Sequence, residues 1–176
     1  GTGDPNAEHD GNRHAWFVSI LHPDEHYRLD FRNYLKEKGK FNTEYGILAP
    51  PTRPTLEMFL AKKDIHPKSR GWHHHNNEFE KKNIQGMLKR FYKDPRRLDF
   101  DEYLLASQMI QAEALRLSLD HFRARKFENS GALFWMYSDC WGAVGWTIVD
   151  YYLNLKPSYY YVRDANAPIS VAAWAY

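Results

Sequence analysis

The sequence predicts an α/β chain built on a parallel sheet. Three observations carry that prediction. Short, continuous apolar runs recur at His14–Leu21 (HAWFVSIL), Phe41–Gly46 (FNTEYG) and Ala132–Tyr137 (ALFWMY). A long stretch of helical periodicity lies between the second run and the third. The resulting order is strand, strand, long helix, strand, helix, which is the rhythm of apolar strands joined by helical crossovers.

Residues 1–13 are polar and Gly-rich and read as a loop. His14–Leu21 reads as a buried strand, because it is apolar without alternation. Residues 22–40 mix charge with aromatics and end in KEKGK, a turn or a helix end. Phe41–Gly46 is the second strand, closed by Gly46. Residues 50–54 (PPTRP) interrupt regular structure. Thr55–Lys62 fits one or two helical turns, with Thr55 as the N-cap. Residues 63–79 read as an irregular, exposed segment. Glu80–Tyr92 carries Ile84, Met87, Leu88 and Phe91 at helical spacing.

The strongest helix runs from Asp99 to about Arg125. Leu105, Met109, Ala112, Leu115, Leu119 and Phe122 recur at steps of three and four. Tyr103, Ala106, Ile110, Ala114 and Leu117 widen that stripe, so the helix is expected to lie flat on something large. Asn129-Ser130-Gly131 stops it. Ala132–Tyr137 is apolar throughout and reads as a strand buried on both faces. Residues 138–155 form an aromatic loop. Pro157 suits the first position of a helix that runs to about Asn166. Pro168 ends that helix, and Ile169–Trp174 begins another extended segment.

Composition excludes several function classes. The chain has 176 residues, 43% hydrophobic and 26% charged, so it can build a packed core. Its formal net charge of +2 gives no reason to expect nucleic acid or a membrane surface as partner. No apolar stretch approaches the ~20 residues of a membrane span. The opening Gly-Thr-Gly-Asp-Pro does not resemble a signal peptide. A single cysteine, Cys140, cannot form an internal disulfide; it is expected to be buried beside Trp141. The aromatic share of 16% is high. Aromatics fill cores, and they also suit clefts that bind flat apolar faces such as sugar rings.

Glu44 is the first candidate for chemistry. It lies near the C-terminal end of an apolar strand, where parallel α/β folds gather catalytic groups. The pattern alone equally fits a strand-end salt bridge. His73, His74 and His75 invite a metal reading. Consecutive histidines do not share one helix face, however, and no carboxylate or thiol is spaced to complete a site, so an exposed loop fits better. The Lys/Arg-rich stretches between 81 and 97 read as a solvated face.

The motifs then meet a known pattern. Thr43-Glu44-Tyr45-Gly46 resembles the nucleophile strand of glycoside hydrolase family 2, whose usual form is Ser/Thr-Glu-Tyr/Phe-Gly. Residues 99–126 resemble that family's "Phe-Asp-x-Tyr…Ser-Gln…Gln-Ala-Glu" helix. GALFWMYSDCWG (131–142) resembles its final barrel strand, and residues 150–169 resemble its closing helix. GNRHAW (11–16) resembles a Gly-Asp-x-His-x-Trp segment. The match covers nearly the whole chain, least over 60–95, and leans towards the β-mannosidase and exo-glucosaminidase branch.

The resemblance implies the C-terminal portion of a (β/α)8 barrel: its last three strands and their helices, incomplete as a barrel. It places residues 1–168 in that catalytic domain and 169–176 at the start of a following β-sandwich. It implies a retaining exo-glycosidase acting on terminal β-linked sugars, β-mannosides first, with exo-β-glucosaminidase, β-galactosidase or β-glucuronidase as same-family alternatives. A non-catalytic carbohydrate-binding or structural fragment is the alternative of another class. Glu44 matches the nucleophile; His14, Trp16, Trp135, Asp139 and Trp141 match substrate-binding positions. No cofactor or metal is implied. The partners implied are a glycoside substrate, the rest of the barrel and flanking β-sandwich domains.

Retention needs two carboxyl groups about 5 Å apart. The family's acid/base glutamate follows an Asn on an earlier strand, and the one Asn-Glu pair here, Asn77-Glu78, is not a match. The chain alone is therefore expected to be inactive. Ser138, Gly142 and Asn12-Arg13 depart from the family's usual Asn, Pro and Asp-x. A barrel of this type needs about 250 residues. The chain also begins in a loop and stops where a strand begins, so it reads as a piece of a larger enzyme.

Overall fold

A computed structural model describes residues 4, 6–9, 12–76 and 82–173. Asn77, Glu78 and Trp174 lie outside the described residues, as does Gly11. At the centre is a three-stranded parallel sheet in the order β1-β2-β3, formed by β1 (Arg13–His14), β2 (Phe41–Glu44) and β3 (Gly131–Ala132). In register, Arg13 faces Asn42, His14 faces Glu44, and Phe41 faces Gly131. The expected parallel α/β arrangement is therefore present, with the strands side by side in chain order.

Two of the strands are shorter than the apolar runs suggested. After His14 the chain makes one more pairing, Ala15 N–H to Glu44 O at 2.8 Å, and then turns. Ile20 and Leu21 both donate to Trp16 O, with Val18 extended and Ser19 at φ 76° between them. Ser19 is buried, whereas Phe17 and Leu21 are exposed. HAWFVSIL is thus a strand end followed by a tight irregular turn. A short apolar run does not distinguish these, because periodicity needs more length than it offers.

The run Ala132–Tyr137 is likewise not buried on both faces. Leu133, Trp135 and Tyr137 are exposed, while Ala132, Phe134 and Met136 are half-buried. β3 is the edge of this sheet, so alternate side chains lose their cover. Backbone pairing nonetheless continues past the strand, from Leu133 N–H to Asn42 O and from Trp135 N–H to Tyr45 O, both at 2.7 Å.

Among the described residues the chain forms six α-helices: α1 (Glu25–Arg28), α2 (Arg53–Phe59), α3 (Arg70–His75), α4 (Asn83–Phe91), α5 (Phe100–Ala124) and α6 (Pro157–Ala165). α5 closely matches its prediction. The Asp99 side chain accepts from Glu102 N–H at 2.8 Å and caps the helix. Its buried face is turned relative to the apolar stripe: Leu105 is 57% exposed, while Gln108, Gln111 and Ser118 are buried. α2 begins two residues before the expected Thr55, with Thr52 at the N-cap position and Pro54 in the first turn. Thr55 is instead inside the helix and buried.

Residues 63–79 were expected to be irregular. α3 occupies part of them: Ser69 Oγ caps it by accepting from Trp72 N–H, and Trp72 is buried against Phe100 and Tyr103. Between Ile169 and Ala173 the chain forms no strand, and Ile169 and Val171 are exposed.

The core lies between the sheet and α5. Tyr45 packs edge-on against Tyr34 and Phe122, with ring centroids 5.6 and 5.1 Å apart. The Tyr34 hydroxyl donates to Gly46 O at 3.1 Å. Residues 138–155, expected as an aromatic loop, contribute Val144, Trp146, Ile148 and Val149 to that core.

Candidate active site

Strand alternation sets the site. Tyr45 enters the core, so its neighbour Glu44 points the other way, at the C-terminal end of β2. Two side chains converge on one oxygen of Glu44. The Trp16 indole N–H donates to Oε2 at 3.1 Å, and His14 Nδ1 lies 3.4 Å from the same atom. Both reach it from the end of β1, the strand paired with β2. Among the described residues Oε1 takes no hydrogen bond, and Glu44 keeps about a third of its side-chain exposure. The strand-end carboxylate therefore has an ordered oxygen and an open one.

Trp16 is itself held from behind. Trp146 packs edge-on against it, with centroids 5.0 Å apart at 71°. The backbone of Trp135 is fixed beside Tyr45 by the 2.7 Å hydrogen bond. It presses on Gly46 so closely that a Cβ there would collide with the Trp135 carbonyl oxygen. Glycine is thus required after Glu44 by close backbone approach. The Trp135 indole is 43% exposed, and the Trp135–Met136 peptide is cis.

Asp139 accepts from Thr147 Oγ1 at 2.7 Å, next to Trp146 in sequence. Burial pushes its pKa up; the Thr147 hydrogen bond and the charge of Lys156 act against that shift. Lys156, fully buried, donates from Nζ to Ala49 O at 2.8 Å and to Gly145 O at 3.4 Å. Burial lowers its pKa to about 8, opposed by Asp139 and Asp150. Asp150 is buried as well, and its carboxylate accepts from Thr55 Oγ1 and from the backbone of Tyr152 and Asn154.

Trp141 stands apart from the Glu44 cluster. Its indole stacks on His75, with centroids 4.7 Å apart at 25°, and His74 lies edge-on to it. Cys140 is exposed, not buried beside Trp141 as expected. The structure thus brings His14, Trp16 and Glu44 into direct contact, adds Trp135 through the backbone and Asp139 through Thr147, and gives Trp141 a separate setting. Among the described residues no group of three or more His, Cys, Asp or Glu is placed to hold a metal ion. Among them, too, no helix is long and apolar enough to cross a membrane. A groove of about 420 Å³, lined by Phe31, Phe91, Tyr92, Leu105 and Met109 among others, contains none of the six candidate residues.

Sequence reading missed Trp146, Lys156 and Asp150, and it placed His75 in an exposed loop where the structure has it in α3 against Trp141. Lysine before a helix gives no sign of burial, since lysines are almost never buried. Trp146 was visible only as one more aromatic in a loop.

No protein-family profile matches the chain. Curated relatives do. It is 31% identical over 175 residues to "Beta-mannosidase B" from Aspergillus niger and from Aspergillus terreus, covering 97% of this chain and 20% of each relative. Among solved structures, the β-D-mannosidase of Dictyoglomus thermophilum matches with 38% identity and a TM-score of 0.81, over 94% of this chain and 20% of that one. The exo-chitosanase CsxA of Amycolatopsis orientalis shares the fold at 21% identity, with a TM-score of 0.62 over 75% of this chain and 17% of that one. The chain thus spans about a fifth of the length of the curated relatives it matches.

Proposed function

We propose that the chain belongs to the β-mannosidase-like glycoside hydrolases of family 2 and forms the C-terminal part of a (β/α)8 catalytic barrel in a retaining exo-glycosidase. Residues 1–168 belong to the barrel in this reading, and 169–176 lead into a following β-sandwich domain. The substrate is a terminal β-mannoside.

The observation that supports this best is the setting of Glu44. A nucleophilic carboxylate must stay ionised and present one oxygen to the anomeric carbon. The Trp16 N–H on Oε2 fixes the carboxylate plane, leaving Oε1 to attack. In the first step Oε1 bonds to the anomeric carbon while the bond to the leaving oxygen breaks. A second carboxyl group, supplied by sequence outside this chain, protonates that oxygen. In the second step water, deprotonated by the same group, attacks the anomeric carbon and returns Glu44 as carboxylate with the β configuration retained.

Trp135 offers an exposed indole face for the C–H face of the sugar, which excludes water from the charged transition state. His14 is placed to bind a hydroxyl, and Asp139 to hold the loop that bears Trp141.

The test is Glu44→Gln in the full-length gene product. Turnover of an aryl β-mannoside should fall by about a thousandfold or more. A 2-fluoro mannoside should label the peptide containing Glu44 in the parent protein. Unchanged turnover, or labelling elsewhere, would overturn the assignment. The isolated 176-residue chain should hydrolyse nothing.

A further inference from the structure

We propose that His75 is the positioning residue for Trp141, holding its indole as a platform on which a pyranose ring of the glycoside stacks. This rests on the glycosidase reading and adds to it a residue on α3 that the resemblance gives no role.

His75 grips the Trp141 segment in three ways. Its ring lies parallel to the indole at 4.7 Å, a stacking distance. Its Nδ1 is 2.6 Å from Gly142 O, on the residue after Trp141. A carbonyl only accepts, so Nδ1 carries the hydrogen and donates. Its own carbonyl accepts from Val144 N–H at 2.8 Å. One residue thus fixes both the ring and the backbone on either side of the turn. Phe59 lies against the imidazole in turn, with ring centroids 4.7 Å apart and planes tilted by 44°, and ties the stack to α2.

The turn is built to accept this. A Cβ on Gly142 would come within 2.6 Å of the Phe59 ring, so only glycine lets the segment lie against that stack. One face of Trp141 is covered by His75, yet the residue stays 44% exposed. An indole held on one face by His75, met edge-on by His74 and still this exposed has the form of a sugar-stacking surface, with little ordering cost left on binding. Trp141 shares no ring contact with Trp16 or Trp135 among the described residues, so this platform is additional to the aromatics at Glu44.

The test uses the full-length protein with Trp141→Ala, His75→Ala and His75→Phe. His75→Ala should raise KM for a β-mannoside about 3- to 10-fold with kcat within twofold, in the same direction as Trp141→Ala. His75→Phe, which keeps the stack without the Nδ1–H, should recover part of the loss. The near-UV circular dichroism difference between parent and Trp141→Phe reports the indole without turnover. It should vanish in the His75→Ala background and persist with His75→Phe. An unchanged KM in Trp141→Ala overturns the platform, and a spectrum indifferent to His75→Ala overturns the positioning role. If the parent protein turns over no glycoside, the glycosidase reading fails and takes the platform with it, while the spectrum still decides whether His75 holds Trp141.

Discussion

Gln111 joins three parts of the chain, and its replacement by leucine tests that junction quantitatively. It lies on α5, fully buried, at a position where an apolar residue would ordinarily face the core. Its Nε2 donates to Ile47 O at 2.8 Å and Trp146 O at 3.1 Å, and its Oε1 accepts from Ser158 Oγ at 2.8 Å. Without the amide, the Ile47 carbonyl and the Ser158 hydroxyl lose their partner, whereas Trp146 O still accepts from Met136 N–H at 3.3 Å. Each orphaned buried group costs about 1–3 kcal/mol. The better transfer of leucine from water returns roughly 1 kcal/mol. The net loss for Gln111→Leu is therefore about 1–5 kcal/mol. Ser158→Ala alone should cost about 1–2 kcal/mol. In the double variant the hydroxyl is no longer stranded, so the combined loss should fall short of the sum by about 1–2 kcal/mol. Urea denaturation of all four proteins measures this. Strict additivity, or a loss below about 0.5 kcal/mol for Gln111→Leu, would refute the argument.

Three other expectations follow from the same geometry. Gly46→Ala forces a Cβ onto the Trp135 carbonyl and should cost more than about 2 kcal/mol in denaturation, separating the strand ends that flank Glu44. Trp16→Phe keeps the ring but removes the donor to Glu44, and should lower kcat/KM on an aryl β-mannoside about 10- to 100-fold in the full-length protein. Lys156→Met should change the pH dependence of stability. The lysine has a folded pKa of about 8 against 10.5 for the free side chain. Between those values the unfolded chain holds a proton that the folded one lacks, so parent stability rises with pH across this window. The parent should gain about 2–3 kcal/mol on the variant between pH 8 and 10.5, seen as diverging denaturation midpoints.

What the sequence revealed, and what it hid, follows from the range of the interactions involved. α4, α5 and α6 were legible because periodicity, the Asp99 cap and Pro157 are local signals. The core between the sheet and α5 was foreseeable, but not the rotation that buries Gln108 and Gln111 and exposes Leu105. Those glutamines are buried because backbone carbonyls of Ile47, Pro50 and Trp146 need donors there, and a carbonyl's need is not written in nearby residues. The run at His14–Leu21 misled for the opposite reason. Its apolar residues serve a turn around Trp16, and an apolar turn looks like a strand in composition. Glu44, His14 and Trp16 were named from motifs, and the strand register then put them on neighbouring positions. His75 was hidden because its partner, Trp141, is more than sixty positions away.

Trp146 shows how such distance matters for chemistry. The donor to Glu44 is an indole whose own position is fixed by a second indole from the loop after β3. Trp146 is 4% exposed, and its carbonyl accepts from both Met136 N–H and Gln111 Nε2. Trp146→Ala should therefore cost about 3–5 kcal/mol as a cavity, which says little about the site. Trp146→Phe separates the two roles. It keeps most of the packing, and it removes the extended edge that meets Trp16 at 71°. If Trp146 acts on turnover through Trp16, Trp146→Phe should lower kcat/KM in the parent and have little further effect in a Trp16→Phe background, because the donor it orients is already gone. Equal effects in both backgrounds would mean that Trp146 supports the site by some other route.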